Sequence, residues 1–182
     1  MDLSDAFDQM VIPALAEYHA AEVALSHDTD GANALIQRRS RTAAIELHQF
    51  ADRVFHARPP WLPPVKDEKA VRDWLATTLT GVGVNDVALV GDVADGFKHV
   101  KIRRSSAQIR GEASANIQSM AYGRGAYGAG KFGGAPQMVI NTNDGRERQL
   151  SSILLNVANG WLTALTRPQI KSLSDLPSAP VR

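Results

Sequence analysis

Cysteine is absent from the chain. That removes disulfides, thiolate nucleophiles and cysteine-based zinc or iron–sulfur sites. An excess of charge is missing too. Twenty Lys and Arg face 19 Asp and Glu, for a formal net charge of +1. No global field therefore draws the chain to nucleic acid or an anionic membrane, and any basic contact surface has to be local. No stretch approaches the roughly 18 consecutive apolar residues of a membrane span. The opening MDLSDAFDQM is acidic and has neither the basic nor the apolar region of a secretory signal. These absences point to a soluble, cytoplasmic protein of bacterial type. No internal repeat is visible either.

What is present is an ordinary globular composition, 44% hydrophobic and 21% charged over 182 residues. That is enough for one domain with a real core. In the first stretch, from Ser4 to Ser26, Phe7, Val11, Ala14, Tyr18, Ala21 and Leu25 recur at spacings of four and three, which predicts a helix. Ser4 is the expected N-cap, and Pro13 should kink the helix or restart it. A second helix is expected from about Ala32 to Phe55, with Ala43, Leu47, Phe50 and Val54 as its apolar stripe. Four prolines between Pro59 and Pro64 then impose an extended connection, which Trp61 and Leu62 can pin to the core. Asp67 to Thr80 reads as a third helix. Val87 to Val100 reads as a fourth, with Val90, Val93, Phe97 and Val100 on one stripe and Asp92, Asp95 and His99 on another.

After Ile102 the helical period is lost. Ser105 to Tyr122 can hold one or two strands, and Gly123 to Gly134 is a glycine-rich loop. Gln137 to Thr142, Asn143-Asp144-Gly145 and Arg146 to Gln149 read as a hairpin. Ser151 is the expected cap of a last helix with Leu154, Val157, Trp161 and Leu165 as its stripe. The predicted fold is α+β: a mainly helical bundle of four helices, a small antiparallel hairpin or sheet, and a C-terminal helix. The expected layout is a single domain over 1–166, with the bundle at 4–102, the β extension at 105–150 and the closing helix at 151–166. Residues 167–182 are expected to be an extended or disordered tail.

Three constellations could carry chemistry. Asp92, Asp95, Lys98 and His99 place two carboxylates, an ammonium and an imidazole within two helical turns. They could share a proton, hold a divalent ion or bind a polar partner, or simply pair along the helix. His48, Asp52 and His56 are successive i,i+4 neighbours, so they could be metal ligands, or His48 could merely edge the apolar face. Arg41 and His48, seven residues apart, resemble the R-x(4–6)-H motif of HEPN ribonucleases. That resemblance implies a helical dimer that cleaves RNA without metal, the Arg and His positioning the scissile phosphate and the attacking 2′-hydroxyl. Thr42 stands where that family usually has an amide or an acid. The basic run Lys98, Lys101, Arg103, Arg104 and Arg110 lacks interleaved aromatics and reads as a solvated face. The loop GRGAYGAGKFGG does not match a phosphate-binding loop, because Phe132 follows Lys131.

Residues 91–99, GDVADGFKH, also resemble a D-x-A-[ND]-x-x-K-H helix motif of uncharacterised bacterial and phage-related helical proteins. In those proteins a helix with a Trp precedes the motif and a hairpin with an Asp-Gly turn and a Trp-bearing helix follow it, as Trp74, Asp144-Gly145 and Trp161 do here. The resemblance covers about residues 67 to 166 and implies an architecture, not an activity. The expectation is a non-enzymatic interaction or structural protein without a cofactor and without a membrane, open to homo-oligomer formation. The alternatives are a HEPN-like metal-independent ribonuclease using Arg41 and His48, with RNA the less favoured partner, and a metal-dependent hydrolase built on the His/Asp clusters.

Overall fold

The computed structural model describes residues 2–27, 31–78, 85–98, 102, 106–120 and 134–177. Within them the chain is mostly helical with a small antiparallel sheet, an α+β fold. The first helical run shows how the sequence accommodates Pro13. Helix α1 (Leu3–Ala6) passes into a π turn (Phe7–Val11) and then into α2 (Ile12–Ser26). The Ile12 amide donates to the Phe7 carbonyl five residues back. Pro13 thus falls in the first turn of α2, where a missing N–H costs least. The helix restarts rather than breaks. Its cap is Asp2, not Ser4: the Asp2 carboxylate accepts from the Leu3 amide at 2.7 Å.

Helix α3 (Ala32–Ala57) ends at Arg58, whose φ of 47° is left-handed and whose amide still reaches Val54 O. Pro59 follows and cannot continue the helix. Trp61, in the proline-rich connection, stacks on Trp74 of α4 (Glu68–Thr78) with centroids 5.4 Å apart. Asp67 caps α4 through the Ala70 amide at 2.7 Å. Helix α5 (Asp86–Lys98) follows, and α6 (Leu150–Ala164) closes the chain's helical part. Among the described residues, no helix is long and apolar enough to cross a membrane.

Few aromatic residues are available, and three of them meet at the centre. Phe7 packs edge-on against Phe50, and Phe50 edge-on against Trp161, with centroids 5.1 and 5.2 Å apart. Such contacts add to the area each ring removes from water. The predicted stripes of the first, second and last helices supply the surrounding core, from Val11, Tyr18 and Leu25 through Leu47 and Val54 to Leu154 and Val157.

The sheet has strand order β1-β2-β3, with β1 (Ala115–Met120), β2 (Gly134–Asn141) and β3 (Glu147–Gln149) antiparallel throughout. Ile117 faces Met138 and Ile140 faces Arg148 across the ladders. Strand β2 packs on α2 and α6, so adjacent Met138, Val139 and Ile140 are all buried. The β2–β3 turn falls on Asn143-Asp144-Gly145. There Gly145 has φ 80°, a conformation that favours glycine. The Thr142 hydroxyl donates to Asp144 and holds its carboxyl below the usual carboxylate range.

The described part of the segment after α6, where an extended or disordered tail is expected, is irregular apart from one 3₁₀ turn. Through residue 177 it is strapped to the helices. Arg167 pairs with Asp8 at 2.6 Å, and Asn159 exchanges two hydrogen bonds with the Ile170 backbone at 2.8 and 2.9 Å. Leu173 is buried at the start of a short 3₁₀ turn closed by a Ser172–Asp175 capping box. Leu173, with Ile170 and Leu176 packed against the same core, and the Asn159 side chain hold a stretch with little periodic signal. Residues 178–182 of the expected tail lie outside the described residues, as do most of the glycine-rich loop (123–133) and the basic positions Lys101, Arg103 and Arg104.

Candidate functional site

Among its described side chains, helix α5 does not present an exposed ionisable flank. It packs against α3, α4 and α6, and nearly every residue from Asp86 to Phe97 is buried or half-buried, with Ala88 the exception. Phe97 lies inside, as its stripe requires, but Asp92 is only 4% exposed. A carboxylate so enclosed has to be hydrogen-bonded. One donor is the Gln108 amide. The Gln108 side chain then reaches Asn85 O at 3.0 Å, and Asn143 binds the Gln108 and Ala107 carbonyls at 2.7 and 2.8 Å. Asp92 thus fastens the 107–110 segment between α5 and the β2–β3 turn.

Asp86, the first residue of α5, plays a similar part and is 1% exposed. Its carboxylate meets Arg148 of β3 at 2.7 Å and Asn156 of α6 at 2.9 Å. Asp95 is half-buried on the same helix. Lys98 ends α5 with its side chain outside the described residues, and His99 lies outside them altogether.

On α3, Arg41 is exposed and His48 half-buried two turns further along, so the pair shares a face. His48 lies against the backbone of α5. A Cβ added at Gly91 would stand 2.9 Å from its Cε1 and 3.1 Å from its Nδ1. Glycine at 91 is what lets the imidazole approach. Asp52 is paired instead with Arg72 of α4 at 3.1 Å, and His56 is exposed beside Phe55. Among the described residues no group of three or more His, Asp or Glu side chains is placed to hold a metal ion. His48, Asp52 and His56 therefore do not form a ligand set there.

A polar centre that sequence reasoning missed lies on α2. The Tyr18 side chain is fully buried, and its hydroxyl donates to Glu22 at 2.5 Å, one turn along. The same hydroxyl accepts from the Ser151 amide, so a side chain of α2 caps α6, whereas the local residue Gln149 makes no side-chain cap. Glu22 accepts in addition from the Met138 amide of β2. Burial pushes the Glu22 carboxyl above the usual carboxylate range, while its bonds to Tyr18 and Met138 pull it back. Burial also drives the Tyr18 hydroxyl well above its ordinary value, and the adjacent Glu22 charge adds to this. The relay opens on a cleft of about 230 Å³ bordered by His19, Glu22, Ser151, Ser152 and Lys171. The available signal was a lone acid four residues after a Tyr, inside the apolar run AAEVAL.

No family model, curated protein or solved structure matches this chain.

Proposed function

We propose that the chain is a non-enzymatic interaction and structural protein of the bacterial cytoplasm that self-associates through the β1 edge of its sheet. The observation that supports this most is the contrast between the two edges. Strand β3 is three residues long and carries Glu147 and Arg148. Short length and charge are the usual means of protecting a sheet edge. Strand β1 runs Ala-Asn-Ile-Gln-Ser-Met, six residues with neither charge nor proline. Among the described residues it pairs with β2 alone. Its Ala115, Asn116, Ile117 and Gln118 are half-buried. Two copies pairing β1 to β1 about a two-fold axis would continue the sheet and satisfy both rows of backbone groups.

The acidic residues fit the same reading. Asp52, Asp86 and Asp92 each join separate parts of the fold. In this reading the helices before the sheet form a rigid base, and α6 closes it.

The test is the mass in solution by light scattering over a wide concentration range. A dimer is expected, with the Asn116→Lys, Gln118→Lys double variant monomeric and unchanged in helical content by circular dichroism, since Asn116 and Gln118 make exposed side-chain bonds whereas Ile117 packs on the core. A wild-type monomer throughout, or a dimer that survives the lysines, overturns the proposal. RNA cleavage in EDTA that is lost in Arg41→Ala and His48→Ala would replace it with the HEPN-like reading.

A further inference from the structure

The cleft beside Glu22 is assembled from three parts of the chain: α2, the first turn of α6 and the strap after α6. Its volume, about 230 Å³, is below the roughly 300–1,000 Å³ of pockets that take drug-sized ligands. Its occupant is therefore small. Its lining includes residues of opposite charge from different parts of the chain: Glu22 of α2 and Lys171 of the strap. Ser151 and Ser152 of α6 border it as well, with Leu155 as an apolar neighbour and His19 beside Glu22 on α2.

We propose that this cleft binds a zwitterion of amino-acid size, its ammonium held by Glu22 and its carboxylate by Lys171. The Ser151 amide is already taken by Tyr18, so side chains rather than the helix end carry this assignment. Two donors, the Tyr18 hydroxyl and the Met138 amide, hold the Glu22 carboxyl in place. An ionised carboxylate offers about four lone-pair sites, so acceptor capacity is left for a ligand ammonium. That cation would offset the loss of water around the acid. Lys171 is exposed and supplies a mobile point charge at the mouth, suited to a carboxylate. A small side chain would lie on Leu155.

The experiment is an amide NMR titration of the full chain with L-alanine. L-lactate, which replaces the ammonium by a hydroxyl, and ethylamine, which lacks the carboxylate, serve as the other arms. Saturable shifts at Ser151, Ser152 and Ser172 are expected at millimolar alanine, with lactate and ethylamine each weaker by about tenfold or more. Glu22→Gln and Lys171→Met should each weaken alanine by about tenfold while the rest of the spectrum stays in place. If Glu22→Gln disturbs the spectrum globally, Lys171→Met decides, since that lysine is exposed. Absence of a saturable alanine shift, lactate binding as tightly as alanine, or an unaffected Lys171→Met overturns the proposal. The Asn116→Lys, Gln118→Lys variant should bind alanine normally, which separates this outcome from that of the β1 edge.

Discussion

Replacing Gly91 by alanine tests the contact between α3 and α5. Elsewhere in a helix interior, Gly→Ala stabilises by about 0.5–1 kcal/mol, because glycine loses more backbone freedom on folding. Here the new methyl carbon would lie 2.9 Å from His48 Cε1, closer than carbon atoms pack. The half-buried imidazole has little room to retreat inward and would have to swing toward solvent, giving up its seat against α5. The void beside it is about 10 Å³, bordered by Leu47, Val87, Val90 and Trp161, which is at or below the space one water needs. Overpacking of this kind costs about 1–3 kcal/mol. Set against the helical gain, Gly91→Ala should destabilise by about 1 kcal/mol, a fall in Tm of about 2–4 °C for a chain of this size. The three nearest atoms to the added carbon all belong to His48. In a His48→Ala background the same substitution should therefore stabilise by about 0.5–1 kcal/mol. The coupling from the four urea melts, followed by circular dichroism, is then about 1.5–2 kcal/mol. A Gly91→Ala protein more stable than wild type, or a coupling near zero, refutes the packing argument.

Other consequences follow from the buried acids. Arg148→Met leaves the Asp86 carboxylate enclosed with Asn156 as its remaining described partner. Breaking one side of a buried pair costs about 3–5 kcal/mol, so a thermal melt should fall by about 10 °C; a loss under 2 °C contradicts it. Asp92→Asn should speed hydrogen exchange at the Gln108 amide far more than at the α5 core amides, and equal change at both would mean Asp92 is not the local fastener. Glu22 gives a pH signature. Its carboxyl is raised in the folded state, so it favours folding at low pH, and that contribution is lost as pH rises above the ordinary glutamate value of about 4.3. Glu22→Gln should therefore be more stable than wild type at pH 7–8, with the difference shrinking toward pH 4 in paired urea melts. A difference that grows on acidification is the contrary result.

Much of the fold is legible in the chain because it is local. The stripes through Phe7–Leu25, Ala43–Val54 and Leu154–Trp161 are set by the 3.6-residue period, and the β2–β3 turn by Asp144-Gly145. The environment of α5 is not legible in the same way. Periodicity says that Asp92 and Phe97 point apart, but not that the 107–110 segment covers the acidic side. Tyr18 capping α6, Glu22 accepting from β2 and Asn159 holding Ile170 are likewise long-range pairings, which no spacing within one helix announces. Gly91 reads as a helix-weakening residue until His48 of another helix is placed against it. The candidate site residues thus emerge from sequence as chemistry-bearing side chains, while their partners emerge only from the packing.

The most direct measurement of the central claim is hydrogen–deuterium exchange at the β1 amides, compared between dilute and concentrated protein. Association through this edge predicts that the alternate amides between Ala115 and Gln118 that point away from β2 become protected as concentration rises, while those of α3 and α6 stay unchanged. Exchange at β1 that is independent of concentration, or protection that appears on a helical face instead, would contradict it.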